Sequence, residues 1–122
     1  MNTAARGIIL VGHGSRDPLW RVPMEAVAAR LDARQPAVAT RCAYLELQQP
    51  DVPSAAADLV GLGVRSVTLV PLFLGTGKHA RADLPRLLEQ VRAAHPGVAF
   101  TLQPSVGEDP RLLDLLARIA LE

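Results

Sequence analysis

The sequence has a single cysteine, Cys42, and aromatic residues make up only 3 % of it. One thiol cannot close an internal disulfide. With no other cysteine or clustered histidine nearby, it reads as a buried thiol rather than a metal ligand. Long apolar runs are also missing. None approaches the roughly 18 residues that a membrane-spanning helix needs, and the N-terminus lacks the layout of a signal peptide. These absences exclude a membrane partner and point to the cytoplasm. Nor does charge of one sign dominate: 13 basic residues stand against 12 acidic ones, for a formal net charge of +1. Without a dense Lys/Arg run, nucleic acid is not an expected partner. There is no linker and no low-complexity stretch.

What is present is an apolar chain, 49 % hydrophobic over 122 residues, packed mainly with Ala, Leu and Val. That length suits a single domain over 1–122 with a sizeable core. Four β-rich runs alternate with four helical patterns. Gly7–Gly12 reads as a strand buried on both faces. Met24, Val27, Ala28 and Leu31 follow at helical spacing, with Pro23 suited to the first turn. Val38–Leu47 is the second strand. Pro53–Leu62 is a short Ala-rich helix, capped at its end by Gly63. Ser66–Leu74 is the third strand, and Pro71 marks its end because proline removes a ladder donor. Leu84, Leu87, Leu88 and Val91 repeat the helical stripe, which His95-Pro96-Gly97 stops. Val98–Gln103 is the fourth strand. Asp109-Pro110 opens a last helix carrying Leu112, Leu113, Leu116 and Ile119. The alternation predicts an α/β fold: one doubly wound, four-stranded parallel sheet with helices on both faces.

In such sheets ligands bind beyond the carboxyl ends of the strands. The groups expected there are His13 between Gly12 and Gly14, followed by Ser15-Arg16-Asp17; Glu46 at the end of the second strand; and Gly75-Thr76-Gly77-Lys78-His79 after the third. Each has an ordinary alternative. His13 could bond a turn carbonyl, His79 could be a solvated residue at a helix N-terminus, and Glu46 could be a cap or a surface carboxylate. Their convergence on one edge is what favours a site. His95 belongs to the opposite edge and reads as structural.

Familiar motifs fail here. Gly12–Asp17 lacks the third glycine of a dinucleotide fingerprint. Gly77-Lys78-His79 has Leu72 where a phosphate loop needs its first glycine, and His where it needs Ser or Thr. Ser15 lies in no nucleophile elbow. Two imidazoles and a carboxylate instead suit a borderline divalent metal such as cobalt, iron, nickel or zinc, and also accept protons near neutral pH. No H-x-x-x-H spacing is present, so transient capture fits better than permanent storage.

The chain resembles the small sirohydrochlorin chelatases, CbiX/SirB-like members of the class II chelatase superfamily. The stretches that carry the resemblance are "LVGHGSRDP", "LELQQPDVPSA", "VTLVPLFLGTGKHARADLP", "HPGV" and "EDPRLLDLL". One departure is Gly75-Thr76, where a bulkier apolar pair is expected. The resemblance implies a lyase that inserts cobalt or ferrous iron into sirohydrochlorin, for cobalamin or sirohaem biosynthesis, without ATP. The metal is then a co-substrate and no permanent cofactor is needed. His13, His79 and Glu46 match the family's motif residues and are expected to hold the metal and accept protons. Arg16, Ser15, Lys78 and Arg81 are candidates to bind the carboxylate-rich tetrapyrrole. The glycines beside His13 are expected to let backbone and imidazole approach a flat macrocycle. Such a broad ligand needs a roof as well as a floor, so a homodimer is expected, with Leu19 and Trp20 as candidate contacts. The rival reading is a non-catalytic tetrapyrrole or metal carrier on the same fold; a third is an enzyme of another class.

Overall fold

An unbroken apolar run, Ile8 to Val11, makes the central strand β1 (Arg6–Gly12) in the computed structural model, which describes residues 5–122. Every residue after Arg6 in β1 is buried, as befits a parallel strand covered on both faces. It pairs in parallel with β2 (Ala39–Tyr44) on one side and β3 (Ser66–Pro71) on the other, and β4 (Ala99–Leu102) pairs with β3. The order is β2-β1-β3-β4. Between the strands run α1 (Val22–Arg34), α2 (Val52–Gly61) and α3 (Lys78–Ala94), and α4 (Pro110–Leu121) follows β4. Short 3-10 turns at Pro18–Arg21 and Val106–Glu108 precede α1 and α4. No helix among the described residues is long and apolar enough to cross a membrane.

Local signals set most of the boundaries. The Asp51 carboxylate accepts from Ser54 N at 2.9 Å and starts α2, with Pro53 in its first turn. Gly63, at φ 90°, takes the left-handed conformation that ends the same helix. β3 stops at Pro71 as expected, whereas β2 is shorter than the sequence implies and leaves Leu45–Leu47 outside the ladder. His95 ends α3 at the edge opposite the strand carboxyl ends, with its ring tilted against Phe100 at 6.0 Å. Cys42 is half-buried and hydrogen-bonds the Met24 carbonyl. Burial, reinforced by the Glu25 carboxylate, pushes its thiol up and away from reactivity.

Period-two alternation divides the core. Ile9 and Val11 of β1 pack with Val67, Leu69, Leu59, Val91 and Phe100 under α2 and α3. Ile8 and Leu10 point the other way, onto Met24 of α1 and Tyr44. The first face is fully covered and the second only in part. On the second face, Thr68 and Val70 are half-buried, and Ala99 and Thr101 are exposed. The helix that a doubly wound sheet would lay over β3 and β4 is α4, yet none of its residues is buried. Its stripe of Leu113, Leu116 and Ile119 faces solvent, with Ile119 58 % exposed. Helices therefore lie on both faces, but α4 stands away from the sheet it follows.

Two expected outcomes test this packing. Leu59, with no exposed surface, fills the space above Gly7, so Leu59→Ala should cost about 2–5 kcal/mol in urea denaturation. Leu62→Ala, at a position 46 % exposed, should be close to neutral.

The second concerns acid. Asp109 caps α4 by accepting from Arg111 N at 2.9 Å, and its carboxylate also pairs with the Arg111 guanidinium. The hydrogen bonds from Arg111 hold the carboxyl down at about 2, from an ordinary 3.8. A folded-state value below the unfolded one stabilises above the unfolded value and is lost as pH falls through the folded one. Amide protection in α4, taken relative to the intrinsic exchange rate at each pH, should therefore fall between pH 3.8 and about 2. In Asp109→Ala that protection should be low throughout the window.

Candidate functional site

β1 and β3 are neighbours whose onward connections run in opposite directions, α1 to one face and α3 to the other. That is the switch point at which open α/β sheets form a crevice. His13 leaves the carboxyl end of β1. Its backbone carbonyl accepts from Glu46 N at 3.1 Å, and the Gly12 carbonyl accepts from Leu45 N at 3.0 Å, so pairing with the second strand's chain outlasts the strands. The His13 ring is exposed, but one face lies on buried Phe73, with ring centroids 4.1 Å apart and 21° between planes.

The flanking glycines serve the protein itself. Gly14 has φ +97°, and a Cβ there would fall 1.8 Å from the Glu46 carbonyl oxygen. A Cβ on Gly12 would crowd the Met24 thioether at 3.1 Å and the Tyr44 ring at 3.3 Å. The missing side chains thus let the loop after β1 pack closely against the loop after β2.

Glu46 stands two residues beyond β2 on a sharply bent segment. Leu47 adopts φ 67°, Gln48 N donates to the Glu46 carbonyl at 2.9 Å, and the Gln49-Pro50 peptide is cis. Gln48, which no sequence motif singles out, accepts from Ser15 N through its side-chain Oε1 at 2.8 Å. It ties the two loops together. The Ser15 hydroxyl accepts from Asp17 N at 3.0 Å and so shapes its own turn. A half-buried side-chain amide across a loop has no sequence period to reveal it.

His79 lies in the first turn of α3, one residue after Lys78 opens the helix, rather than in the preceding loop. Thr76 holds that loop by a 2.6 Å hydrogen bond between its hydroxyl and the buried Ser105 hydroxyl. Arg81 donates its Nε to the Thr76 carbonyl at 3.2 Å, so part of its guanidinium is already engaged.

His13, Glu46, Lys78 and His79 line one cleft of about 530 Å³, joined by Asp83, a carboxylate the sequence reading did not pick out. Asp83 pairs with Arg86. Ser15, Arg16 and Arg81 do not line this cleft. Among the described residues no three His, Cys, Asp or Glu side chains are gathered closely enough to hold a metal ion together. The cleft therefore offers separated donors rather than a closed cage. On the far side of His13 opens a second, apolar cavity of about 730 Å³. It is walled by Trp20, Met24, Val27 and Tyr44 on one side and by Leu112 and Leu115 of α4 on the other, with Arg111 among its few polar groups. His13 lines both cavities.

A sequence model of the family described as CbiX matches residues 7–122. The chain is 30 % identical over 124 residues to the sirohydrochlorin cobaltochelatase of Methanococcoides burtonii, covering 95 % of each chain. Among solved structures it is similar to a cobalamin (vitamin B12) biosynthesis CbiX protein from Marinobacter aquaeolei, with TM-score 0.81, 34 % identity, and coverage of 94 % of this chain and 93 % of that one. It is also similar to the sirohydrochlorin chelatase SirB from Bacillus subtilis subspecies spizizenii in complex with cobalt, with TM-score 0.79 and 25 % identity. There it covers 97 % of this chain but only 49 % of SirB. Sheet, switch-point cleft and matched relatives agree: the chain belongs to the CbiX family.

Proposed function

We propose that this chain is a cytoplasmic sirohydrochlorin chelatase, a lyase that exchanges two pyrrole N–H protons of the tetrapyrrole for one divalent metal ion, cobalt or ferrous iron, without ATP. The metal is a co-substrate. The observation that carries the reading is the place of His13, on the wall shared by a polar cleft and an apolar cavity. A macrocycle has broad apolar faces, which suit the larger, mainly apolar cavity. A hydrated metal ion suits the cleft with Glu46 and His79. His13 meets both, so its one basic nitrogen can hold the ion and, once the ion has left for the pyrrole nitrogens, take one of the displaced pyrrole protons.

Separated donors fit this task. A closed cage would retain the ion, whereas insertion requires it to leave for four pyrrole nitrogens. Lys78, Arg16, Ser15 and Arg81 remain candidates for the substrate's carboxylates. Lys78 is the one of the four that lines the cleft.

Residues 1–122 act here as a single chelatase-like domain, and the working unit is a homodimer. Leu19 and Trp20 are 72 % and 63 % exposed, and among the described residues nothing buries the apolar stripe of α4. This chain also matches about half the length of SirB. A second copy would cover α4 and give the apolar cavity a roof, through an isologous contact.

With cobalt supplied anaerobically, the loss of free sirohydrochlorin absorbance at catalytic protein concentration tests turnover. His13→Ala should lower kcat about 100-fold, the scale of losing one positioned proton acceptor. His79→Ala should chiefly raise the KM for metal. Stoichiometric uptake without turnover would instead establish a carrier. Wild-type rates in the double variant would remove the site.

The dimer is tested by Leu116→Lys/Ile119→Lys. Light scattering should show a monomer with unchanged far-ultraviolet circular dichroism and reduced insertion. A wild-type monomer that keeps full specific activity would overturn it.

A further inference from the structure

We propose that Phe73 is a positioning residue that fixes the plane of the His13 imidazole for metal and proton transfer. The inference rests on the reading that His13 handles both. His13 is an exposed side chain at a strand end, and the torsion of an imidazole about its Cβ–Cγ bond is broad and roughly two-fold. Left alone, such a ring would sample many planes. Histidines that serve metals are ordinarily held by a hydrogen bond to the second ring nitrogen. Among the described residues neither ring nitrogen of His13 has a side-chain or backbone hydrogen-bond partner; the ring is held instead by its face, stacked on Phe73 at 4.1 Å and 21°.

That difference has chemical content. A ring held by its face keeps its whole edge free, including both nitrogens. Whichever nitrogen carries the lone pair is then free for the ion and, after the ion leaves, for a proton, while the other keeps its N–H, and His13 lines both cavities. A hydrogen-bonded orienter would have used one of the two.

Phe73 is equipped to be a rigid platform. It is 2 % exposed and is the largest of the fully buried side chains. Its segment is clamped on both sides: Leu72 N donates to the Val11 carbonyl at 2.9 Å, and the Phe73 carbonyl accepts from Gly107 N at 2.9 Å. Gly107 is pressed against the same segment so closely that a Cβ would lie 1.8 Å from the Leu74 carbonyl oxygen. The loop after β4 thereby locks the backbone of Phe73, whose ring in turn orients a side chain carried by β1.

The test compares the full-length wild type with Phe73→Leu, which keeps apolar bulk without the ring, and Phe73→Tyr, which restores the ring. In proton NMR of the wild type, the His13 ring protons, assigned by their loss in His13→Ala, should lie upfield of those of His79 because they sit over an aromatic face. Phe73→Leu should abolish that displacement. It should also lower kcat for cobalt insertion about ten-fold while the KM for tetrapyrrole stays within about two-fold, the pattern of lost orientation rather than lost binding. Phe73→Tyr should recover most of both. Wild-type His13 protons without an upfield displacement would overturn the proposal even if Phe73→Leu does not fold. So would a folded Phe73→Leu that keeps its kcat. If His13→Ala itself inserts metal at the wild-type rate, the functional assignment of His13 fails, while the NMR comparison still decides the stack.

Discussion

β1 is hydrogen-bonded in parallel on both sides, to β2 and to β3, and both of its faces are buried. The rest of the molecule depends on that arrangement. Parallel neighbours cannot be joined by hairpins, so each strand hands its chain to a helix, and every strand-to-helix turn emerges at the same edge. With β1 central and the connections running to opposite faces, the turns after β1 and β3 must part, and a crevice opens between them. His13 and the start of α3 stand at that crevice because the sheet has no other way to continue.

The crevice is built from four loops, one after each strand, that brace one another. The Glu46 backbone rests against Gly14, Gln48 reaches Ser15 N, Thr76 reaches Ser105, and Gly107 locks Phe73. Most of these contacts use backbone atoms or short polar side chains, which leaves the longer groups exposed: His13, Glu46, Lys78 and His79. Loops are where function is displayed on a rigid scaffold. Here rigidity comes from tight backbone approach at glycine and from an aromatic platform, and the exposed donors stay separate enough to release what they hold.

The open half of the sheet and the unburied α4 are complementary features of one chain. Burying large apolar side chains is worth about 1.5–3 kcal/mol each, so a helix with several of them in water carries a standing incentive to be covered. In the homodimer proposed here that incentive serves catalysis, because the cavity that α4 borders also contains the His13 edge. Stability of the assembly and shape of the substrate site then follow from the same surface.

The sequence by itself determined the order of elements, the parallel sheet and the edge at which chemistry would gather. Periodicity, prolines and capping residues are local signals, and they placed β1, the Pro71 stop and the Gly63 cap correctly. They also sent His13, Glu46 and His79 to one edge and His95 to the other, since a residue's place relative to a strand end is local information. Tertiary structure alone decided the remainder. That Glu46 lies beyond a shortened β2, and that His79 lies inside α3, depend on where hydrogen-bonded ladders stop. That Gly12 and Gly14 are filled by Met24, Tyr44 and the Glu46 carbonyl depends on chain distant in sequence. Phe73 reads as one more core residue of an apolar run; only the fold lays an imidazole from another strand on its face. And α4 reads as a helix with a stripe to bury. Whether the stripe meets its own sheet or stays in the open is set by the direction of the chain after Gly107, which no periodicity records.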